Sequence, residues 1–210
     1  MAESSSKTAA RTRRKPTQAR SLERVNRILD VSEEMFVEKG YAATTTKAIA
    51  AQAKVPIGSL YQFFPDKEAI LQALAERYSD LFQQHFQTFD NLEMTQIPLV
   101  DYVDRITDGA EQFFSDHPGY HAVFMEVQAK MPELNDADDA RLIETFATLL
   151  PKRYPSLNVE DYEAIAFVLI KAMGNLMWLS LRQTPEFRQR LVKETKRLTL
   201  TYLQSYGSVK

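Results

Sequence analysis

The sequence predicts an all-α fold, on three observations. Apolar residues recur three and four positions apart through almost the whole chain of 210 residues, which is the spacing of one helix face. Only six glycines are present. Threonine, proline and glycine stand at the ends of the apolar-periodic segments, where helices begin and end. We expect one small and one larger group of helices.

Charge is distributed unevenly along the chain. Residues 1–67 carry a net charge of +5 and residues 68–210 carry −7. The run from Lys7 to Arg27 contains eight bases and a single acid. A basic head on an acidic body indicates that only the head meets a polyanion. Residues 1–17 are small, polar and basic, and are predicted to form a flexible arm, with a merely solubilising tail as the alternative.

The first helix is predicted from about Thr17 to Lys39. Its inward positions step by three and four residues and give one narrow stripe. Gly40 follows as the glycine that ends the helix, because a left-handed residue is common there. The stripe is Leu22, Val25, Leu29, Ser32 and Phe36.

Two short helices follow, joined by a tight turn. Thr44 and Thr45 suit the N-cap of the first, which runs from about Thr46 to Ala53. Lys54–Pro56 makes the turn, and Pro56 fits the first turn of the next helix because no N–H is needed there. That helix ends near Phe63. Helix, short helix, tight turn and second short helix form a helix-turn-helix.

The second short helix has an inner and an outer face. Leu60 and Phe64 lie four positions apart and are predicted to pack inward. The side chains left to face elsewhere are Ser59, Tyr61, Gln62 and Phe63. Such a face can enter a DNA major groove, and the small Gly58 lets a backbone approach closely. The alternative is a three-helix packing unit without a ligand, which leaves the exposed aromatic residues unexplained.

The run from Ile28 to Tyr78 resembles the N-terminal domain of the tetracycline-repressor (TetR) family. Many matching positions at fixed spacing carry this resemblance, over about a quarter of the chain. They are Phe36, Gly40, Tyr41, Thr45, Thr46, Ile49, Ala50, Ala53, Val55, Gly58, Leu60, Tyr61, Phe64, Lys67 and Leu71. The resemblance implies a homodimeric, ligand-responsive regulator of transcription, most often a repressor.

The resemblance also implies which residues touch DNA. They are Thr45, Thr46, Lys47, Pro56, Ile57, Gly58, Ser59, Tyr61, Gln62, Phe63 and Lys67. Tyr61 and Lys67 would contact phosphates. Many family members have His where this chain has Phe63, which has no polar hydrogen and is expected to contact sugar or a thymine methyl instead. Shape and backbone contacts are therefore expected to contribute more than direct base readout.

Three domains are predicted: the basic arm at 1–17, the helix-turn-helix domain at 18–66, and a helical ligand-binding and dimerisation domain at 67–210. Further helices are expected at about Asp66 to Asp90, Pro98 to Asp116, from Pro118 onward, through Leu150 to Tyr154, Asp161 to Leu181, and Pro185 to Tyr206. Residues 135–140 suggest an acidic loop and helix start. The stretch 91–96 is expected to be a connector.

The larger domain is rich in aromatic residues, most of which are ordinary core candidates. Facing helices of a bundle also host apolar ligand sites. The candidate lining is Tyr102, Ile106, Phe113, Phe124, Gln128, Phe146, Phe167, Met173, Asn175 and Trp178. We expect a small, mainly apolar effector.

The last two helices are predicted to form a four-helix interface between two copies of the chain. The interface candidates are Ala164, Val168, Ala172, Leu179, Leu191, Leu198 and Tyr202. Lys171 interrupts the apolar helix. It is expected to reach solvent, to pair with an acid across the interface, or to meet an anionic ligand. A two-fold dimer would place its two recognition helices about 34–36 Å apart, in successive major grooves of a pseudo-palindromic operator.

Other classes of function are disfavoured. There is no cysteine, which excludes disulfides and thiolate metal sites and fits a cytoplasmic protein. His117 and His121 have a metal-compatible spacing, but without a third ligand we expect no metal and no cofactor. No catalytic motif is found, so no enzyme is expected. The central Lys171 argues against a membrane span at Ala164 to Leu181. An all-helical adaptor for protein partners, without specific DNA binding, is the alternative.

Overall fold

A computed structural model describes residues 15–87 and 96–207 of the chain. These residues form nine α-helices and no strand, which confirms the all-α prediction. The helices are α1 Lys15–Lys39, α2 Thr46–Gln52, α3 Ile57–Phe63, α4 Lys67–Gln87, α5 Leu99–Asp116, α6 Tyr120–Lys130, α7 Pro132–Arg153, α8 Val159–Ser180 and α9 Pro185–Gln204.

Helix α1 already includes Lys15, the first described residue, and so extends at least two residues ahead of its predicted start. The inward stripe is also wider than predicted: Ile28 and Met35 are buried, whereas Leu22 is exposed. Gly40 ends the helix with φ +81°, and its amide donates to the Phe36 carbonyl. The rest of the predicted arm, residues 1–14, lies outside the described residues.

The described residues divide into two compact units, with the boundary between Ile70 and Leu71. The first contains α1 to α3 and the start of α4. Its buried side chains come from every one of these helices. Neither of the two short helices would be stable alone, so each depends on this shared packing. The core includes Ile28, Phe36, Ile49, Leu60 and Ile70.

The second unit has its own core, built from the remaining helices. Helices α7, α8 and α9 supply most of the buried side chains, together with α5. Ile106 of α5, Met177 of α8 and Leu203 of α9 are among the least exposed. Helix α8 is long and apolar enough to span a membrane by length and composition, with a mean hydropathy of 1.3. A core helix of a water-soluble bundle has the same length and composition.

Two predicted boundaries in this unit are wrong. Residues 135–140 do not form a loop, because α7 already begins at Pro132, a residue favoured in the first helical turn. Pro118 does not begin α6. The amide of Tyr120 donates to the His117 carbonyl in a turn, and the helix starts at Tyr120. The predicted end of α4 at Asp90 and most of the connector 91–96 lie outside the described residues.

Candidate nucleic-acid interface and effector cavity

Two threonines at the start of α2 have different roles. Thr45 is the N-cap: its backbone is extended, and its hydroxyl accepts a hydrogen bond from the Ala48 amide at 3.2 Å. Thr44 is buried, and its hydroxyl donates toward the carbonyls of Met35 and Gly40. Thr44 therefore ties the loop before α2 to the end of α1, while Thr45 remains exposed at the helix start.

The turn between α2 and α3 is held by backbone hydrogen bonds. Lys54 has φ 55°, a left-handed conformation, and the Val55 amide donates to the Ala50 carbonyl at 3.0 Å. The carbonyl of Pro56 accepts from the amides of Ser59 and Leu60. Pro56 is thus the N-cap residue of α3, whereas the sequence predicts it in the first helical turn. The helix begins one position later, at Ile57.

Helix α3 has one buried and one exposed face. Leu60 is fully buried and Phe64 nearly so, whereas Tyr61 is 50% exposed and Ile57 41% exposed. None of the eleven predicted DNA-contacting residues is buried. Seven are exposed: Thr45, Lys47, Pro56, Ile57, Gly58, Tyr61 and Gln62. Thr46, Ser59, Phe63 and Lys67 are half-buried.

A hydrogen bond joins the two short helices on this exposed face. The Tyr61 hydroxyl lies 3.1 Å from the Thr46 hydroxyl. Both groups can donate and accept, so each keeps hydrogen-bonding capacity for a second partner.

Gly58 has no packing partner that requires a glycine. A Cβ built at this position meets no other atom of the protein within 4 Å. Its φ is not in the left-handed region, so the backbone conformation does not require glycine either. The bare backbone at the start of α3 leaves room for a molecule outside the chain.

The ammonium of Lys67 is largely occupied within the protein. It donates to the carbonyls of Tyr41, at 2.6 Å, and Thr44, at 2.8 Å, and lies 4.1 Å from the centre of the Tyr41 ring. These contacts fix the loop between α1 and α2. One of the three ammonium hydrogens remains for a phosphate, the predicted partner of this residue.

A cavity of about 380 Å³ lies within the second unit. Residues of α4, α5, α6, α7 and α8 line it. The wall is rich in aromatic side chains, which include Tyr78, Phe82, Phe114, Tyr120 and Phe124. A volume of several hundred Å³ with apolar walls and few polar groups is typical of a small-molecule site.

Six of the ten predicted lining residues meet at this cavity. They are Phe124, Gln128, Phe146, Met173, Asn175 and Trp178. Tyr102 and Ile106 instead line a separate, narrow hollow of about 20 Å³. The prediction that Phe113 lines the cavity is wrong, because its ring is fully buried between Phe82 and His117. The prediction that Phe167 lines the cavity is also wrong, because Phe167 is 51% exposed and lies along an outer groove between α7 and α8.

The cavity lining includes residues of α4 that the sequence does not predict. Tyr78, Phe82 and Phe86 are not among the predicted lining residues and count among the ordinary core candidates of the larger domain. Their spacing of four was the available signal. It cannot distinguish a ring that fills a core from one that borders a hollow.

Trp178 lies in the cavity wall beside His121. The two rings are stacked with centroids 5.5 Å apart. Burial lowers the pKa of His121, and the nearby positive charge of Arg182 lowers it further. His121 is therefore neutral near pH 7, and its Nε2 has no hydrogen-bond partner among the described residues.

Lys171 pairs with an acid of its own chain. Its ammonium donates to the Asp139 carboxylate on α7, 32 positions earlier in the sequence. Both side chains are about one-third exposed or less. The contact is intramolecular, so the acid that pairs with Lys171 is not one across the proposed interface.

The seven predicted interface residues lie on the last two helices and none is buried. Ala164, Val168, Leu179 and Leu198 are exposed, whereas Ala172, Leu191 and Tyr202 are half-buried. Val168, Ala172 and Leu179 share one face of α8 at helical spacing. Leu191, Leu198 and Tyr202 likewise share one face of α9.

The two histidines with metal-compatible spacing do not face a common site. His117 packs on the Phe113 ring at 4.6 Å, whereas His121 stacks on Trp178. Within residues 15–87 and 96–207, no three His, Cys, Asp or Glu side chains come together as metal ligands would.

Two family models match the chain. The model described as "Bacterial regulatory proteins, tetR family" matches residues 28–74, and the one described as "Tetracyclin repressor-like, C-terminal domain" matches residues 98–203. The first covers the helix-turn-helix, and the second covers helices α5 to α9 almost to the end of α9.

Several relatives match part of the chain. The transcriptional regulator YvkB of Bacillus subtilis is 42% identical over 53 residues, which are 25% of this chain and 28% of YvkB. The regulator HbdR of Aromatoleum sp. is 39% identical over 62 residues, 30% of this chain and 27% of HbdR. The chain thus aligns with little more than a quarter of the length of these relatives.

Solved structures share the fold over most of the chain. A TetR-family transcriptional regulator from Streptomyces coelicolor has a TM-score of 0.66 at 24% identity, covering 88% of this chain and 98% of that one. SmeT, the repressor of a multidrug efflux pump of Stenotrophomonas maltophilia, has a TM-score of 0.62 at 21% identity, covering 86% and 89%.

The exposed α2–α3 surface, the helical second unit and the two family models agree with one another. The chain belongs to the tetracycline-repressor (TetR) family of helix-turn-helix, DNA-binding transcriptional regulators.

Proposed function

We propose that this regulator is a cytoplasmic repressor. It binds a pseudo-palindromic operator as a homodimer and is released by a small, mainly apolar effector. The observation that carries the proposal is the contrast on α3 between the buried Leu60 and Phe64 and the exposed Tyr61 and Gln62. A half-exposed tyrosine beside a bare glycine backbone is explained by a partner outside the protein.

The proposed DNA contacts divide into two kinds. Tyr61, Lys47 and Lys67 bind phosphates and fix the position of α3 on the duplex. Ile57, Gln62 and the backbone at Gly58 and other exposed α3 positions meet base edges and sugars in the major groove. With Gln62 the main base-reading amide on this face, shape and deformability of the operator contribute much of the specificity.

Dimerisation through α8 and α9 is supported by their exposed apolar side chains. Val168 and Leu179 on α8 and Leu198 on α9 are each 43–50% exposed. Exposed apolar side chains aligned on one helix face mark an interface more often than a free surface. A two-fold dimer would present two copies of α3 to successive major grooves.

The cavity of the second unit is the proposed effector site. An effector that favours one separation of the two DNA-binding helices over another would change operator affinity. A coupling free energy of about 1–3 kcal/mol between the two sites corresponds to an affinity change of about 5–150-fold. The basic arm adds a salt-dependent attraction to phosphates or the minor groove.

Fluorescence anisotropy with DNA from upstream of the protein's own gene tests the repressor proposal. We expect tight binding with a steep salt dependence, resistance to unrelated competitor DNA, and loss of affinity in Tyr61→Ala. Weak binding that depends neither on the DNA sequence nor on Tyr61 would contradict the proposal, provided that DNA selected from genomic fragments is also bound weakly. The adaptor function would then be favoured.

Sedimentation tests the dimer proposal. Leu198→Glu places a charge on the proposed interface and should convert the dimer to a monomer at micromolar concentration. Val159→Glu is the matched control, because Val159 is 83% exposed at the start of α8 and outside the proposed interface. A wild-type chain that sediments as a monomer would contradict the proposal directly.

A further inference from the structure

The charged groups of the effector cavity lie at one end of it. Asp136 and Asp139 on α7 and Lys171 on α8 are the charged side chains among its described lining residues. Lys171 is paired with Asp139. Asp136 is exposed and has no cationic partner within the described part of the chain. The described lining therefore carries a net negative charge, and its lysine is already neutralised.

Aromatic rings form another part of the cavity wall. The rings of Tyr120 and Phe124 are stacked with centroids 5.4 Å apart, and Phe124 lies 5.6 Å from Trp178. Ring faces carry partial negative charge and attract cations, and the Trp178 ring already has the Arg182 guanidinium 5.7 Å from its centre. The wall and the acids therefore favour the same sign of ligand charge.

We propose that the effector is an organic cation with an apolar or aromatic body and a single positive charge placed near Asp136 and Asp139. This inference rests on the cavity being the effector site and specifies the ligand's chemistry. An anionic ligand is disfavoured because it would meet an unpaired carboxylate and negative ring faces, with Lys171 occupied.

The position of the acids lowers the cost of binding a cation. Asp136, Asp139 and Lys171 line both the cavity and the outer groove between α7 and α8. A charged group at this end keeps part of its hydration, while the apolar body is buried among the rings. Complete burial of an ion without this contact with water would be strongly unfavourable.

The chain has a single tryptophan, Trp178, and it lies in the cavity wall. Tryptophan fluorescence is therefore a local reporter of ligand binding that needs no DNA. Three probes of similar shape separate charge from size: benzyltrimethylammonium, its neutral carbon isostere neopentylbenzene, and the anion phenylacetate. Each is titrated against the full chain.

Asp136→Asn removes the unpaired charge and keeps the side-chain shape. We expect the affinity for benzyltrimethylammonium to fall about threefold to tenfold, and the affinity for neopentylbenzene to stay unchanged. Glu133→Gln is the matched control, because Glu133 is an exposed carboxylate on the same helix, three positions earlier, and does not line the cavity. The Glu133→Gln variant should change neither the affinity for benzyltrimethylammonium nor the affinity for neopentylbenzene by a comparable factor.

Asp139→Asn is a second, independent variant. It leaves Lys171 without its carboxylate partner, so the net negative charge of the lining is removed. The cation should bind more weakly and phenylacetate more tightly than to wild type. The neutral isostere again reports whether the fold of the cavity has survived.

Three results would overturn the proposal. The first is tighter binding of phenylacetate than of benzyltrimethylammonium to wild type. The second is equal effects of Asp136→Asn on the cation and on the neutral isostere. The third is the absence of any saturable fluorescence change with the cation.

DNA anisotropy separates this inference from the proposed function. If the cation binds with the expected dependence on Asp136 but operator affinity is unchanged, the charge preference stands and the effector response fails. If only the neutral isostere binds and releases DNA, the effector response stands and the cation preference fails.

Discussion

The hydroxyl of Tyr61 on α3 lies 3.1 Å from the hydroxyl of Thr46 on α2, and this contact links the two short helices at the exposed face. Both residues are proposed DNA contacts. A tyrosine on a helix of seven residues would otherwise sample several rotamers. The hydrogen bond to Thr46 therefore orients the Tyr61 hydroxyl for a phosphate before DNA arrives.

The first prediction concerns this pair. Tyr61→Phe removes one hydroxyl and should weaken operator binding by about 1 kcal/mol, while stability changes little because the bond is exposed. Thr46→Val should weaken binding through the same orientation, so the double variant should lose less than the two single losses added together. Anisotropy on all four proteins measures the coupling. Strict additivity would mean that Thr46 does not orient Tyr61.

The second prediction concerns Gly58. An added methyl group meets nothing within the chain, so Gly58→Ala should leave stability unchanged or raise it by up to about 1 kcal/mol. Operator affinity should fall by about tenfold or more, because the methyl occupies the space into which DNA comes. Thermal melting and anisotropy measure the two effects.

Gly174→Ala is the control for Gly58→Ala. Gly174 is also helical and also has open space around an added Cβ, but it lies on α8, where it lines the effector cavity, so both variants are compared without effector. It should share any gain in stability without the loss of operator binding. An equal loss of binding in both variants would assign the effect to the fold and not to a DNA contact.

The third prediction concerns Lys67. Replacing it by Met leaves the carbonyls of Tyr41 and Thr44 without their shared donor, so stability should fall by about 1–3 kcal/mol. Urea denaturation of the full chain measures this loss. Lys47→Met is the control, because Lys47 is exposed and should affect DNA binding without affecting stability. If Lys67→Met unfolds at the wild-type urea concentration, the two carbonyl contacts do not stabilise the loop.

The fourth prediction concerns pH. The folded protein lowers the pKa of His121 through burial and the charge of Arg182, so folding favours the neutral ring. This contribution to stability is present above the unfolded value of about 6.5 and is lost as pH falls through the lower folded pKa. The wild type should therefore lose more stability between about pH 7.5 and pH 5 than His121→Phe, which keeps a ring beside Trp178 but cannot titrate.

Denaturation curves of both proteins at the two pH values test this prediction. Parallel losses in wild type and His121→Phe would mean that other groups carry the acid sensitivity. The comparison is made within each protein, so a constant difference in stability caused by the new ring does not affect it.

The helix-turn-helix could be predicted from the sequence because its signals are local. Thr45, Pro56 and Gly40 act within a turn or two of their own positions, and the exposed character of Tyr61 follows from the inward placement of Leu60 and Phe64. The starts of α2 and α3 were within one residue of those observed. The hydrogen bonds from Lys67 to the loop between α1 and α2 could not be predicted, because the two acceptor residues lie 23 and 26 positions earlier in the sequence.

The lining of the effector cavity could be predicted from the sequence only in part, because it depends more on tertiary structure than the helix-turn-helix does. Phe113 and Phe124 look alike in the sequence, yet one fills the core and the other borders the cavity. Helical periodicity shows which side of a helix turns inward but not whether the facing helices close the space completely. The same reason explains why Tyr78 and Phe82 were not recognised as lining residues.

The sequence alone determined that this chain is an all-α regulator with a helix-turn-helix at its basic end, because caps, turn residues and apolar spacing act over a few positions. Only the tertiary structure decided which aromatic residues surround the cavity and which acid neutralises Lys171. These choices depend on how helices distant in the chain pack side by side, and a periodic pattern carries no record of that packing.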